Sequence, residues 1–220
     1  KSPAWKRQYV KRWVATSGVF AGAGTGVVQL VSGSSQGVPG VTGMTVRHEQ
    51  RSYESSMILL PTPQVWGEFP MVRVAAAAAA STSATAFAKN YSAHEYGELF
   101  AAAGDFPNFL ARYNALANLT ADLVDPGVPV THLYGVGVDT PTAFEYDADS
   151  SASVAAAFRN GPTRVVHGDG DGTVPLRSLQ SIEQRWAGVH TKTYANQTHT
   201  GVLKSKEYIA DVVKLVLAAE

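Results

Sequence analysis

Short runs of β-branched and aromatic residues alternate along the chain with segments whose apolar residues recur at helical spacing. A buried strand is predicted within residues 10–24, where a β-branched and aromatic run ends in small residues and glycines, and another over residues 128–137, where a near-continuous apolar run favours burial on both faces. The capping pair Ser92 and Glu95 predicts a helix, and residues 206–219, KEYIADVVKLVLAA, predict a closing amphipathic helix. Strands that alternate with helices predict an α/β fold with a mostly parallel sheet.

Three segments interrupt this pattern. Residues 32–40, SGSSQGVPG, combine glycine, serine and proline and predict a loop. In residues 51–66, Pro61 and Pro63 interrupt any helix and predict an extended apolar connection. Residues 74–88 are rich in alanine without an amphipathic stripe, which predicts a surface insertion.

Composition narrows the function classes. The 220 residues are 45% hydrophobic and 16% charged, which is typical of a globular domain and excludes a disordered chain or a coiled coil. The 18 basic residues balance the 18 acidic ones, so charge gives no support to nucleic-acid binding. No cysteine is present, which excludes disulfides and thiolate metal sites. No apolar run is long enough to predict a membrane span, and no repeat is visible. We therefore expect a single domain.

Two loops carry residues suited to acid–base chemistry. Residues 168–174, GDGDGTV, follow an apolar strand, and His199 lies in a loop that follows a later strand. Catalytic groups gather at such carboxyl-end loops in parallel sheets. An acid that precedes a histidine also matches the second half of the Ser, Asp, His order of α/β-hydrolases, in which the imidazole moves the nucleophile's proton and the carboxylate orients the imidazole.

Local sequence leaves the identity of the acid open. Asp169 and Asp171 lie two positions apart, and either could serve. For both, the alternative is an Asx turn that satisfies loop amides. Asp139 follows the strand at 128–137 and is a rival acid.

Metal chemistry has little support in the sequence. The DGDG run resembles the start of a calcium loop, but Val174 and Gln180 stand where that loop needs glycine and glutamate. No two histidines have ligand spacing, so no metal or cofactor is predicted. His132, inside an apolar strand, is interpreted as a satisfied core residue. Three histidines are interpreted as surface residues: His48, His94 and His190. His167, next to the acid loop, is interpreted as structural.

Several long motifs resemble one family. They are SGSSQGVP, EQRSYESSMILLPTPQVW, GVPVTHLYG, LYGVGVDTPTAFEYD and GDGDGTVPLRSL, and their order from about Trp5 to about Val213 is similar to that of the lecithin:cholesterol acyltransferase family, especially its lysosomal phospholipase A2 branch. The resemblance implies the C-terminal part of an α/β-hydrolase fold. It implies an enzyme that acts on glycerophospholipid esters through an acyl-enzyme intermediate, as an O-acyltransferase or a phospholipase.

The resemblance also assigns residues and segments. It matches Asp171 to the triad acid and His199 to the triad base, and it implies a lid over residues 29–50. Residues 51–125 are expected to form a cap-like insertion that includes the alanine-rich segment. The expected partners are a phospholipid or acyl-lipid substrate, a lipid interface and an N-terminal half of the same protein.

The nucleophile is the residue that the sequence does not supply. In the family it lies in a glycine-flanked elbow, at a position that the resemblance implies is upstream of Lys1. Residues 33–37 do spell G-x-S-x-G around Ser35, but an elbow needs a strand before it and a helix after it. Here a possible helix precedes the motif and Val38, Pro39 and Gly40 follow it, so we do not expect Ser35 to be the nucleophile. We expect the isolated chain to be inactive.

Two other functions and the location stay open at this stage. A non-catalytic lipid-binding domain of the same fold is the main alternative, and a calcium-dependent module around Asp169 and Asp171 is another. The sequence does not distinguish transfer to water from transfer to an alcohol. Asn90, Asn118 and Asn196 begin glycosylation sequons, which together with the resemblance favour a lumenal or secreted location, although Asn196 lies so close to His199 that we expect it to carry no glycan.

Overall fold

A computed structural model describes residues 1–75, 87–104, 108–120, 123–147 and 154–218. Its strands are β1 (Trp13–Thr16), β2 (Val72–Ala75), β3 (Phe87–Tyr91), β4 (Val130–Val136), β5 (Thr140–Asp147), β6 (Arg164–Gly168) and β7 (Val189–Ala195). Its α-helices are α1 (Pro3–Tyr9), α2 (Gly24–Val31), α3 (Gly43–Gln50), α4 (Glu54–Ile58), α5 (Pro63–Trp66), α6 (Tyr96–Ala102), α7 (Phe109–Thr120), α8 (Val154–Ala157), α9 (Leu176–Leu179) and α10 (Lys206–Leu217).

The chain forms two compact units. The first unit comprises residues 1–20, 122–140 and 168–220, and the second unit comprises residues 21–121 and 141–167. Each unit contains its own sheet and its own buried apolar clusters. In the described part of the chain, no helix combines the length and the apolar character that crossing a membrane requires.

The first unit is built on a parallel sheet in the order β1-β4-β7. Strand β4 is the central strand, and its residues Val130, Leu133 and Tyr134 are buried, as expected for a strand covered on both faces. Helix α10 packs Val212 and Leu215 against the cluster around Leu133. Because the strands are parallel, the loops that follow β4 and β7 leave the same edge of the sheet, which is where the candidate site lies.

The second unit has a sheet in the order β3-β2-β5-β6, in which β2 is parallel to β5 and antiparallel to β3. Arg51 fastens its helices together, since the buried guanidinium donates to Leu30 O, the last turn of α2, and to Ala103 O, just beyond α6. Cations are favourable at helix C-termini, where unpaired carbonyl groups concentrate negative charge. The buried arginine therefore has its charge offset by backbone.

The predicted α/β class with mostly parallel strands is confirmed, and so are the strands predicted within residues 10–24 and over residues 128–137 and the closing helix, which is α10. The division of the strands between two sheets was not predicted. The capping box that joins Ser92 to Glu95 is present, and residues 32–40 form the loop that separates α2 from α3. The extended connection predicted for residues 51–66 is wrong.

That last segment forms the short helices α4 and α5 instead. Pro63 occupies the first position of α5, where proline is compatible with a helix because that position needs no intrahelical N–H donor. Proline therefore begins a helix here as well as interrupting one. Most of the alanine-rich segment, residues 76–86, lies outside the described residues. The lid at 29–50 and the cap at 51–125 stay predictions.

Candidate active site

Asp171 is held at the centre of a tight loop by its own backbone. Its Oδ1 accepts hydrogen bonds from Thr173 N at 3.0 Å and Val174 N at 2.7 Å. The next residue, Gly172, has a φ of 84°, a left-handed conformation that favours glycine. This arrangement is an Asx turn, and it leaves Oδ2 of the carboxylate for another partner.

That partner is His199. Its Nδ1 lies 2.8 Å from Asp171 Oδ2, and its backbone N donates to Asp171 O at 2.7 Å. The loop after β7 is therefore joined to the acid loop by a side-chain and a main-chain hydrogen bond. The Asx turn and the contact with His199 are compatible, because the turn uses Oδ1 and leaves Oδ2 of the same carboxylate to contact the imidazole.

The two side chains differ in access to solvent. Asp171 is completely buried, whereas 28% of the His199 side chain is exposed. When Nδ1 donates to the carboxylate, Nε2 of the neutral imidazole is an acceptor. Nε2 makes no hydrogen bond within the part of the chain that the structure describes. The pair can thus accept a proton at Nε2 and share the resulting charge with Asp171.

The contact with Asp171 changes the titration of the imidazole. The hydrogen bond to the carboxylate raises the pKa of His199, and burial opposes that rise in part. The neighbouring negative charge acts in the same direction as the hydrogen bond. His199 is therefore a stronger base than an isolated imidazole, as a group that receives a nucleophile's proton needs to be.

A second layer of residues positions the acid loop. Thr140 is buried, its Oγ1 accepts from Gly172 N at 2.8 Å, and it donates to Val138 O at 2.7 Å. Val138 N in turn donates to Gly170 O. The acid loop is thus fixed to the segment that follows β4. No feature of the sequence pointed to Thr140.

A glycine in β4 positions the histidine loop. A Cβ at Gly135 would collide with the backbone of Gln197, two residues before His199. Only a residue without a side chain lets the loop approach the strand so closely. Sequence reasoning missed this residue, although an isolated glycine inside a strand is a known signal of close backbone approach.

The structure separates the rival acids from the histidine. Asp169 is exposed and its Oδ1 accepts from Gly137 N at 2.7 Å, so it ties two loops together. Asp139 is exposed, and no contact between it and His199 is among those of the described residues. Of the three candidate carboxylates, Asp171 alone contacts His199. The described residues contain no group of three potential ligands that could hold a metal ion.

The remaining histidines take no part in this pair. The positions predicted to be at the surface, His48, His94 and His190, are exposed, as is His167. His132 is fully buried in β4, but the prediction that it is fully satisfied is wrong. Its Nε2 accepts from Gly18 N at 3.2 Å, whereas Nδ1 has no partner within the described residues. Burial lowers the pKa of His132 to about 4, so the ring is neutral near pH 7.

Ser35 has none of the surroundings of a nucleophile elbow. It lies in the loop after α2, and turns rather than a helix follow it. Its backbone is not in a positive-φ conformation, whereas Gln36 and Gly37 are. This geometry agrees with the expectation that Ser35 is not the nucleophile.

Comparison with known proteins identifies relatives of the whole chain. Residues 1–116 and 110–219 match the family described as lecithin:cholesterol acyltransferase. Lecithin-cholesterol acyltransferase-like 1 of Arabidopsis thaliana is 31% identical over 215 residues, which cover 98% of this chain and 45% of the relative. Lysosomal phospholipase A and acyltransferase of Canis lupus familiaris is 31% identical over 84% of this chain and 40% of its own length. Phosphatidylcholine-sterol acyltransferase of Papio anubis is 26% identical over 98% of this chain and 46% of its own length. The chain spans less than half the length of these relatives.

The first prediction concerns the pKa of His199. NMR titration of the imidazole should give a value above that of an unperturbed histidine, about 6.5, and Asp171→Asn should bring it down to or below that value. Because the folded pKa is raised, the pair stabilises the fold fully below the unfolded pKa and loses that contribution as pH rises through the folded pKa. Asp139→Asn is the control and should leave the titration unchanged. Equal shifts in both variants would contradict the pairing.

Proposed function

Because the chain belongs to the lecithin:cholesterol acyltransferase family, we propose that it supplies the general base, His199, and its carboxylate partner, Asp171, to an enzyme that acts on glycerophospholipid esters. The observation that carries this proposal is the 2.8 Å contact between a partly exposed imidazole and a fully buried carboxylate. The names of the relatives, which include acyltransferases and a phospholipase, support the reaction class.

The proposed chemistry proceeds through an acyl-enzyme. A serine oxygen attacks the ester carbonyl while His199 Nε2 takes the hydroxyl proton, and the imidazolium then returns this proton to the departing alcohol oxygen. In the second half, His199 takes a proton from water or from an acceptor alcohol, whose oxygen attacks the acyl-enzyme carbonyl, and the imidazolium then returns this proton to the departing serine oxygen. Asp171 holds Nδ1–H in place and stabilises the imidazolium in both halves.

We place the attacking serine in a segment N-terminal to Lys1. Two observations support this: Ser35 lacks the strand and helix that an elbow needs, and β1 pairs only with β4 among the described strands, which leaves one edge of β1 open for a further strand. The N-terminal half is therefore the partner that completes the triad. By itself, the chain is proposed to have no esterase activity.

The acyl acceptor decides between hydrolysis and transfer. Transfer to an alcohol requires a site that binds the alcohol and excludes competing water. The family membership supports either outcome, since a relative is named as both a phospholipase and an acyltransferase. The proposal accordingly covers both reactions at one catalytic pair.

The names of the relatives also support a lumenal or secreted location. A lysosomal enzyme is among them, and Asn90, the first residue of a sequon, has an exposed side chain on β3.

The location is tested by the electrophoretic mobility of the protein from its native cells before and after N-glycosidase treatment. A lumenal protein glycosylated at Asn90 should lose mass, whereas an unchanged mobility would count against it.

The second prediction concerns turnover by the protein that contains the N-terminal half. Asp171→Asn should lower kcat by about four orders of magnitude, and His199→Ala by a similar factor, because members of a triad act as a unit. Asp139→Asn is the matched control and should change kcat little, and Asp169→Asn should have a milder effect than Asp171→Asn. The measurement is release of fatty acid or of acylated alcohol from phosphatidylcholine.

Two results would overturn the assignment. A large loss in Asp139→Asn with little loss in Asp171→Asn would identify a different acid. Full lipid binding with no turnover in the unmodified protein would instead support a non-catalytic lipid-binding domain.

The third prediction concerns the proposed lid. Residues 29–50 consist of the end of α2, a loop rich in glycine and serine, and α3. If they cover the substrate, the amides of the loop at 32–42 should exchange quickly in buffer and be protected when phospholipid vesicles are added. Hydrogen exchange with mass spectrometry is the measurement, and the segment at 123–129, which precedes β4 at the opposite end of that strand from the candidate site, serves as an internal control. Equal protection of residues 32–42 in both conditions would remove the lid interpretation.

A further inference from the structure

The second unit contains a cavity whose lining includes residues 32–35 and 42–44 of the proposed lid but neither residue of the catalytic pair. Its volume is about 570 Å³, and it lies between the loop that links α2 to α3 and the turn that follows α8. Ser34, Ser35 and Thr42 line one side; the Ser34 hydroxyl accepts from Gln36 N at 3.2 Å, and the Thr42 hydroxyl lies 2.8 Å from that of Thr45. Arg159 and Asn160 line the other. The cavity is therefore rich in hydrogen-bond donors.

Bare backbone forms part of its wall. Gly33 and Gly43 both line the cavity, and a Cβ on either would collide with the backbone of the other. Gly33 also has a φ of 73°, which favours glycine. Gly43 begins the eight-residue helix α3, and the side chain of Thr42 caps this helix by accepting from Thr45 N at 3.3 Å. The N-terminus of a helix favours a negative charge placed close to it.

The charges at the cavity are of one sign. Arg159 is exposed at its rim, and Arg47 lies beside Gly33 with its guanidinium donating to Val31 O at 3.0 Å. Burial lowers the pKa of Arg47, and the positive charge of Arg159 lowers it further. No aspartate or glutamate is among the described residues that line the cavity. Two cations thus repel each other beside a cavity whose described lining residues include no carboxylate.

We propose that this cavity binds a phosphate group, with Arg159 as its charged contact and the hydroxyls of Ser34, Ser35 and Thr42 as its neutral donors. Arginine and hydroxyl donors suit phosphate oxygens, and an anion placed here would offset the repulsion between the two guanidinium groups. The phosphate can come from the headgroup of a glycerophospholipid or from free inorganic phosphate. The loop residues of this site belong to the proposed lid, but neither Asp171 nor His199 takes part, so loss of phosphate binding and loss of turnover are separate outcomes.

Calorimetric titration of the whole chain tests the site. Inorganic phosphate is one ligand, and sn-glycero-3-phosphocholine, the soluble headgroup of phosphatidylcholine, is the other. At least one should bind saturably to the unmodified chain, and added salt should weaken the binding. Tighter binding of the glycerophosphodiester would identify a lipid headgroup as the source, and tighter binding of inorganic phosphate would identify the free ion.

Variants connect any binding to the cavity. Arg159→Gln should raise the Kd by about tenfold or more, since it removes the positive charge and the charge-assisted hydrogen bonds to the phosphate oxygens. Arg159→Lys should bind with an intermediate Kd, because it keeps the charge and loses the planar donors. The control Lys89→Gln removes the same charge from β3 of the same unit, where Lys89 pairs with Glu98, and should leave the Kd unchanged.

The proposal is overturned by any of three results. They are no saturable binding of either ligand, an unchanged Kd in Arg159→Gln, and an equal rise in Kd for Arg159→Gln and Lys89→Gln, which would indicate non-specific attraction. Arg159 is exposed, so its substitution should leave the melting temperature close to that of the unmodified chain.

Discussion

The candidate site depends on the complete burial of one carboxylate. A buried carboxylate is costly unless its oxygens accept hydrogen bonds, and Asp171 has three donors around it. Two are amides of its own loop and the third is the imidazole of His199. The loop geometry that buries the acid therefore also determines which oxygen faces the histidine. Without Gly172 in a left-handed conformation, that turn would be strained.

The precision of the pair comes from contacts between backbone segments. Gly135 allows the histidine loop to lie against β4, and Thr140 bridges the acid loop to the segment after the same strand. The histidine loop thus contacts β4 itself, and the acid loop is bound to the segment that follows β4. These contacts keep His199 Nδ1 within hydrogen-bond distance of Asp171 Oδ2, although the two residues lie on different loops. General-base chemistry requires such fixed geometry.

The sequence predicts the fold class and places Asp171 and His199 in loops that each follow a strand, but β6 before the acid loop belongs to the second sheet and β7 before the histidine loop to the first. Strand and helix periodicities are local signals, so the strands before the two loops are predictable, whereas their division between two sheets is a tertiary feature. Local sequence could not choose between Asp169 and Asp171, since either residue can form an Asx turn. The choice depends on the register of the loop against Val138, which is a tertiary feature.

The failures have the same origin. The sequence predicts that Pro63 interrupts a helix, but its place at the first position of α5 depends on where the chain turns. The sequence predicts that both ring nitrogens of His132 have hydrogen-bond partners. Tertiary packing decides this instead, and it leaves Nδ1 without a partner among the described residues. The cavity beside Arg159 joins residues from distant parts of the sequence and had no local signature.

The central claim is that this chain holds the acid and the base, while the nucleophile lies in another segment. Labelling with a fluorophosphonate probe, which reacts with activated serines, tests it most directly when the modified residue is mapped by mass spectrometry. The account predicts that the isolated chain stays unmodified and that the protein with its N-terminal half is labelled at a serine upstream of Lys1. Labelling of Ser35 that His199→Ala abolishes would contradict the account.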